Sequence, residues 1–217
     1  MISQNFDPYS LIVFLAFLSM VPFLLVVTTC FLKISMVLMI VRNAMGIQQV
    51  PPNMVVYGIS LALTVFVMAP TINAINERMK DVDVKKDNVR ESMKNIEHVA
   101  EPLKQFMVKQ VNPDSQIMLM ETAKQLWPAD LYEGTSKENF LILIPSFVIS
   151  ELQKGLQIGF LIYIPFVVID LLVSNILLAL GMQMVSPNTV SLPLKMLLFV
   201  LVEGWGKLLQ SLALSYS

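Results

Sequence analysis

A single carboxylate inside a long apolar run constrains this chain more than any other feature. Asp170 lies within IPFVVIDLLVSNILLAL, residues 164–180. An isolated carboxylate at the centre of a membrane helix costs about 2.5–3.5 kcal/mol on insertion scales. Such a residue persists where it is paired, faces a cavity or lies outside lipid. The run therefore predicts a chain that works inside an assembly and does not simply cross a bilayer.

Composition excludes several classes of function. Hydrophobic residues make up 55% of the chain and charged residues 14%, against about 25% charged in soluble domains. The net charge of −1 implies no nucleic-acid partner. One His and one Cys, Cys30, cannot form a zinc site, and no nucleotide-binding or serine-hydrolase motif occurs. We therefore expect no enzyme, no metal and no cofactor.

Apolar segments predict an all-α protein. Four stretches are long and apolar: residues 11–41, 54–75, 156–182 and a fourth from about 190, which Pro193, Lys195 and Glu203 interrupt. About 20 apolar residues suffice to span a bilayer as a helix. We therefore expect four helices, paired in an N-terminal hairpin (1–75) and a C-terminal hairpin (140–217).

Residues 76–139 form a polar insert between the hairpins, with ten basic and twelve acidic residues. Apolar residues recur there at spacings of three and four, which is typical of an amphipathic helix. These residues are Val89, Met93, Ile96, Ala100, Leu103 and Met107. We expect Pro102 to break this helix, a second helix over 114–126, and a capping box at Thr135–Glu138 that starts the next.

Charges at the first segment predict its orientation. No Lys or Arg precedes it, whereas Lys33 and Arg42 bracket its far end. The positive-inside rule then places the N-terminus and the insert outside the cytoplasm. The first ten residues lack the basic region of a signal peptide, so we expect this apolar segment to be retained.

Asp170 and Lys195 are the first candidate functional residues. In a hairpin that turns near Ser186–Pro187, they are not level, so a pair within one chain needs a kink, for which Pro193 is a candidate. A structural ion pair is favoured. A proton relay, as in pumps, and a contact between subunits are the alternatives.

Glu151, Gly155 and Gly159 form the second candidate group, in ISELQKGLQIGF. The GxxxG spacing removes side-chain bulk and lets two helices approach closely. Beside Lys154, this spacing suggests a tight contact in which Glu151 meets a partner's cation. The alternative is the end of a membrane helix with charges that extend to the interface.

Met182, Gln183 and Met184 form the third group, in the turn between the last two segments. Methionine is unbranched and adapts to differently shaped neighbours. A ring of such residues could close around varied objects, although ordinary packing is the more common role of paired methionines.

Several stretches resemble one family closely. PSFVISELQKGLQIGF (145–160), IPFVVIDLLVSNILLALGMQMVSP (164–187), RNAMGIQQVPPNMVVYGISL (42–61) and SLPLKMLLFVLVEGWGKL (191–208) are similar to the FliP/SctR family. These are the R-type inner-membrane subunits of the type III secretion export apparatus and their flagellar counterparts. The short insert and the lack of a cleavable signal resemble the virulence-secretion branch.

The resemblance implies an assembly. Family members form a cone-like helical export gate with S-type and T-type subunits, with several R copies, probably five. Contacts with the U-type switch protein, secreted polypeptides and membrane lipid also follow. The gate sits in the bacterial inner membrane, and much of it projects to the periplasmic side.

The resemblance also assigns roles. Asp170 and Lys195 would form a stabilising ion pair, and Glu151 would meet a lysine of the adjacent S-type subunit. The loop 181–187 would line the pore, with Met182–Met184 as a gasket, although the family usually has three methionines where this chain has Gln183. The predicted function is a core subunit of a protein-conducting export gate. The alternative is a small proton-coupled transporter that uses Asp170.

Overall fold

The computed structural model describes residues 8–47, 50–80 and 89–217. These residues are largely helical, as predicted, and form nine helices, because two of the four predicted apolar helices are each divided in two and the insert contributes three more. The helices are α1 (Pro8–Thr28), α2 (Phe31–Ala44), α3 (Asn53–Lys80), α4 (Val89–Gln110), α5 (Pro113–Leu126), α6 (Ala129–Glu133), α7 (Phe140–Ala179), α8 (Pro187–Leu201) and α9 (Gly204–Leu214). The first seven residues, which precede the predicted retained segment, lie outside the described residues.

Two of the four apolar segments are broken helices. The first divides into α1 and α2, which meet at 69°, and the fourth divides into α8 and α9, which meet at 60°. Only α3 and α7, among the described residues, are single helices long and apolar enough to cross a membrane. The second break lies at Glu203, whose φ of 54° is left-handed. A non-glycine residue is uncommon in that region, which marks a fixed bend between α8 and α9.

Helix α7 organises the fold. Its 40 residues rise about 1.5 Å each, which gives a length of about 60 Å. It packs most extensively against α2 and also contacts α1, α4, α5 and α8. The main hydrophobic core lies where α2 meets α3, α7 and α9, around Ile34, Val37, Leu38 and Val41. Cys30 is fully buried at one end of this core, as expected for a small apolar side chain.

Pro102 does not break α4, contrary to the prediction. A proline inside a helix leaves the carbonyl four residues earlier without its usual donor. That carbonyl belongs to His98, and the Arg78 side chain of α3 donates to it at 2.9 Å. A tertiary hydrogen bond therefore replaces the missing helical one.

The predicted stripe of α4 is correct only near its C-terminal end. Met107 is fully buried against Leu143 and Phe147 of α7, and Leu103 packs beside it. Ile96 is 69% exposed, contrary to the prediction, and Phe106 of α4 packs against the buried cluster instead. The side chains of Val89 and Met93 lie outside the described residues.

The starts of α5 and α7 show two different outcomes. α5 begins at Pro113, beside the predicted start, and the Asn112 side chain caps it. The predicted capping box at Thr135 is wrong. The Thr135 hydroxyl donates to the Leu131 carbonyl instead, and Asn139 caps α7 by accepting from the Leu141 N–H at 3.0 Å.

Candidate functional site

The α7–α8 hairpin brings Asp170 and Lys195 into direct contact. Lys195 Nζ lies 2.5 Å from Asp170 Oδ2, and it also donates to the Ala44 carbonyl at the end of α2 at 3.3 Å. The Lys195 residue is only 3% exposed. One ammonium group therefore joins three helices within one chain.

The register of this hairpin differs from the expected one. α7 ends at Ala179, and α8 begins at Pro187. The turn is therefore the whole loop 180–186 and is not centred on Ser186–Pro187. Asp170 lies about as far before that loop as Lys195 lies after it, so the two residues are level. The contact needs no kink at Pro193, which lies inside α8.

The loop 180–186 carries the predicted gasket residues on its surface. Met182 is 44% exposed and Met184 is 99% exposed, and Gln183 is exposed between them. Gly181 adopts a φ of +71°, a conformation that glycine adopts without steric cost, and it ends the helix there. Two flexible apolar side chains therefore project from the tip of the hairpin, and nothing in the described part of the chain covers Met184.

Glu151, Gly155 and Gly159 all face α2 of the same chain. A Cβ atom at Gly155 would overlap the Met36 side chain, and one at Gly159 would lie 2.5 Å from Ile40 Cδ1. The GxxxG spacing thus permits close approach of α2 and α7, which is a contact within the chain. The predicted contact of this group with another subunit remains a prediction.

Glu151 is fully buried and has two partners that the sequence reasoning missed. Its Oε1 atom lies 3.8 Å from Lys33 Nζ, and its Oε2 atom accepts a hydrogen bond from the Tyr216 hydroxyl. Lys33 is itself 1% exposed, and its Nζ lies 3.5 Å from the centre of the Tyr216 ring. Buried charges are stable only when paired or hydrogen-bonded. We call Lys33, Glu151 and Tyr216 the charge cluster.

The insert docks beside this cluster. Lys154 Nζ donates to the Gln110 carbonyl at the end of α4 at 2.6 Å. The Asn112 N–H donates to Ser150 Oγ at 2.9 Å. One turn of α7 therefore satisfies backbone groups where α4 ends and α5 begins. The spacing of residues along α7 could not predict these contacts, because the groups that Lys154 and Ser150 bind come from a distant part of the chain.

The described residues contain no group of three or more His, Cys, Asp and Glu side chains that could hold a metal. The charged groups that cluster here bind one another. Their contacts stabilise the fold, and the loop 180–186 remains exposed. Both features are expected of a subunit that works in an assembly.

Comparison with known proteins gives one family and a consistent set of relatives. The FliP family matches residues 14–212. The harpin secretion protein HrcR of Erwinia amylovora is 53% identical over 99% of both chains. The virulence protein YscR of Salmonella typhimurium is 44% identical over 97% of this chain and 98% of its own. The Yop proteins translocation protein R of Yersinia pestis is 41% identical over 97% of both.

Proposed function

Because this chain belongs to the FliP family, we propose that it is an R-type subunit of a type III secretion export apparatus. The observation that carries this proposal is the similarity, over almost the whole chain, to proteins named for harpin secretion and Yop translocation. Since the similarity includes both hairpins and the insert, the whole chain takes part in that role. Its task is to pass unfolded proteins across the inner membrane.

The loop 180–186 is the proposed pore constriction. It is held at the tip of a hairpin, and its two methionines are exposed. In a ring of several copies, these side chains would meet around one axis. Methionine side chains are flexible enough to close on each other and to adapt to a passing polypeptide. Gln183 adds one polar amide per copy, which would hydrate the closed ring.

The contact between Asp170 and Lys195 is the proposed support of that loop. It lies on both helices of the hairpin at the same distance from the loop, and it ties them to α2 through the Ala44 carbonyl. An ion pair in this place fixes the register of the hairpin, and therefore the position of Met182 and Met184. A proton-carrying role, which the transporter alternative requires, is disfavoured because Lys195 already engages the Asp170 carboxylate.

The length of α7 supports a position partly outside the bilayer. At about 60 Å it is twice as long as the hydrocarbon core, which is about 30 Å thick. Even a strongly tilted α7 extends beyond the lipid on one side. This fits an inner-membrane complex with a periplasmic projection, built from several R copies with S-type, T-type and U-type neighbours.

A contact between Glu151 and a lysine of an S-type subunit belongs to the assembled state of this proposal. In the chain described here, the Glu151 residue is 0% exposed. Such a contact therefore requires the carboxylate to turn away from Lys33 and Tyr216, or the new lysine to enter the charge cluster.

Conductance measurements test the pore. We expect Met182→Ser/Met184→Ser to leave the complex assembled but to raise its ion conductance in planar bilayers, because short polar side chains cannot close the ring. Gln183→Met should lower the conductance of the closed state. Met79→Ser/Met118→Ser is the matched control, since both residues are exposed methionines outside the loop. An unchanged conductance in the loop variant would argue against the constriction.

A further inference from the structure

The buried pair of Lys33 and Glu151 is incomplete without Tyr216. The nearest charged atoms of the pair are 3.8 Å apart, which is too far for a hydrogen bond. Tyr216 supplies what is missing on both sides. The Tyr216 ring offers its face to the Lys33 ammonium, a favourable cation–π geometry, and its hydroxyl donates to Glu151.

Tyr216 also holds the insert. Its ring stacks on the Phe106 ring of α4, with centroids 6.0 Å apart and planes 23° from parallel. The Gln110 side chain at the end of α4 donates to the Tyr216 carbonyl at 3.5 Å. The residue is 7% exposed. One side chain therefore contacts α2, α4 and α7 together.

We propose that Tyr216 is a latch that makes the charge cluster and the docking of the insert depend on each other. While α4 lies against the Tyr216 ring, the ring stays between Lys33 and Glu151. If α4 leaves, the Tyr216 ring loses Phe106 and the Tyr216 carbonyl loses the Gln110 donor. The two buried charges then lose their shared partner. The insert therefore docks cooperatively on the helix that also carries the loop 180–186. This inference concerns the single chain and does not depend on the pore proposal.

Cys30 provides a native reporter for the latch. It is the only cysteine of the chain and is fully buried. Its backbone carbonyl lies 3.4 Å from the Tyr216 hydroxyl. Opening of the latch should expose the thiol, so the rate of its reaction with N-ethylmaleimide measures the open fraction, because local opening controls access to buried groups.

The test compares two substitutions in the full chain in detergent micelles. Tyr216→Phe keeps the ring and removes the hydroxyl, whereas Tyr216→Leu removes both. We expect several-fold faster labelling of Cys30 in the first variant and about tenfold or more in the second, as for loss of about 1.4 kcal/mol or more. Tyr163→Phe is the matched control, since Tyr163 lies exposed on α7, and it should label at the wild-type rate.

Two further measurements separate a latch from simple packing. In a Lys33→Met/Glu151→Gln background, Tyr216→Phe should accelerate labelling less than in the native chain, because the hydroxyl then pairs with a neutral amide and no longer with a buried carboxylate. Hydrogen exchange in Tyr216→Leu should rise at residues 103–116 and stay unchanged at residues 187–201. Wild-type labelling in Tyr216→Phe, an undiminished effect in the charge-free background, or an equal rise at 187–201 would each overturn the proposal. If the charge-free background does not fold, the comparison of Tyr216→Phe with the wild type decides alone.

Discussion

Helix α7 carries two ion pairs, and they are built differently. At its N-terminal half, Glu151 and Lys33 are almost fully enclosed and lie 3.8 Å apart. At its C-terminal half, Asp170 and Lys195 touch at 2.5 Å, and the Asp170 side chain is 43% exposed. The enclosed pair recruits a tyrosine, whereas the half-exposed pair is direct. The difference shows that a fully buried ion pair needs additional polar partners, whereas a partly exposed pair does not.

The reason lies in the cost of removing charges from water. A fully buried pair loses hydration on both sides, and the attraction between its members compensates only when further polar groups complete the site. The Tyr216 hydroxyl and ring complete the charge cluster. Asp170 retains part of its surface for water or a neighbouring subunit, so its site needs only Lys195. The first pair therefore belongs to the interior of the chain, and the second is suited to the surface of a hairpin.

The largest loss of stability is expected when the enclosed pair of Lys33 and Glu151 is broken. Lys33→Met leaves the Glu151 carboxylate buried without a cation, and loss of one partner of a buried pair costs about 3–5 kcal/mol. Lys33→Met/Glu151→Gln removes both charges and should cost clearly less than Lys33→Met alone. The measurement is the free energy of unfolding from denaturant titration in detergent. An equal loss of unfolding free energy in the single and double variants would contradict this account, since the two charges would then not stabilise each other.

A smaller effect is expected where α2 and α7 approach closely. Gly159→Ala places a Cβ atom against three atoms of the Ile40 side chain, and overpacking of this kind costs about 1–3 kcal/mol. Gly58→Ala is the control. A Cβ atom at Gly58 meets nothing within 4 Å, so that variant should be stabilised by about 0.5–1 kcal/mol through helix propensity. Loss of stability in both variants, under the same titration, would contradict the close contact.

The smallest effect on stability is expected at the half-exposed pair. Asp170→Asn removes the counter-charge of Lys195 but keeps an amide oxygen that can accept from it, besides the Ala44 carbonyl. We expect a cost of about 1 kcal/mol, the difference between a charge-assisted and a neutral hydrogen bond. The exposure of Asp170 keeps the cost small because water replaces part of the contact. Charge reversal at either position should block assembly of the complex, and Asp170→Lys/Lys195→Asp should partly restore it, as scored by co-purification with the S-type subunit. No recovery in the double swap would contradict a direct pair.

The helical class and the approximate segments could be predicted from hydropathy alone. Of the three residues that interrupt the fourth segment, Pro193 and Lys195 lie inside α8, and only Glu203 lies at the break between α8 and α9. The course of α4 through Pro102 could not be predicted, because Arg78 of another helix supplies the hydrogen bond that the proline removes. Helix propensity describes a residue in isolation, and here a tertiary contact outweighed it.

The candidate residues show the same limit. Asp170 and Lys195 stood out because charges are rare in apolar runs, and the resemblance to the FliP family indicated their pairing. Their level positions depended on where α7 ends, and helix boundaries are the least reliable part of a sequence-based assignment. Tyr216 gave no signal at all. A tyrosine in a polar-flanked sequence such as LSYS is ordinary, and only the fold brings it to Lys33 and Glu151.

Native mass spectrometry of this chain, co-expressed with the proposed S-type and T-type partners and extracted in detergent, tests the central claim most directly. The claim is that the chain is a multi-copy subunit of an export gate whose hairpins present the loop 180–186 to a common pore. We predict a discrete hetero-oligomer that contains several copies of this chain and one or more of each neighbour. A stable monomer or dimer that ignores both neighbours would contradict the claim.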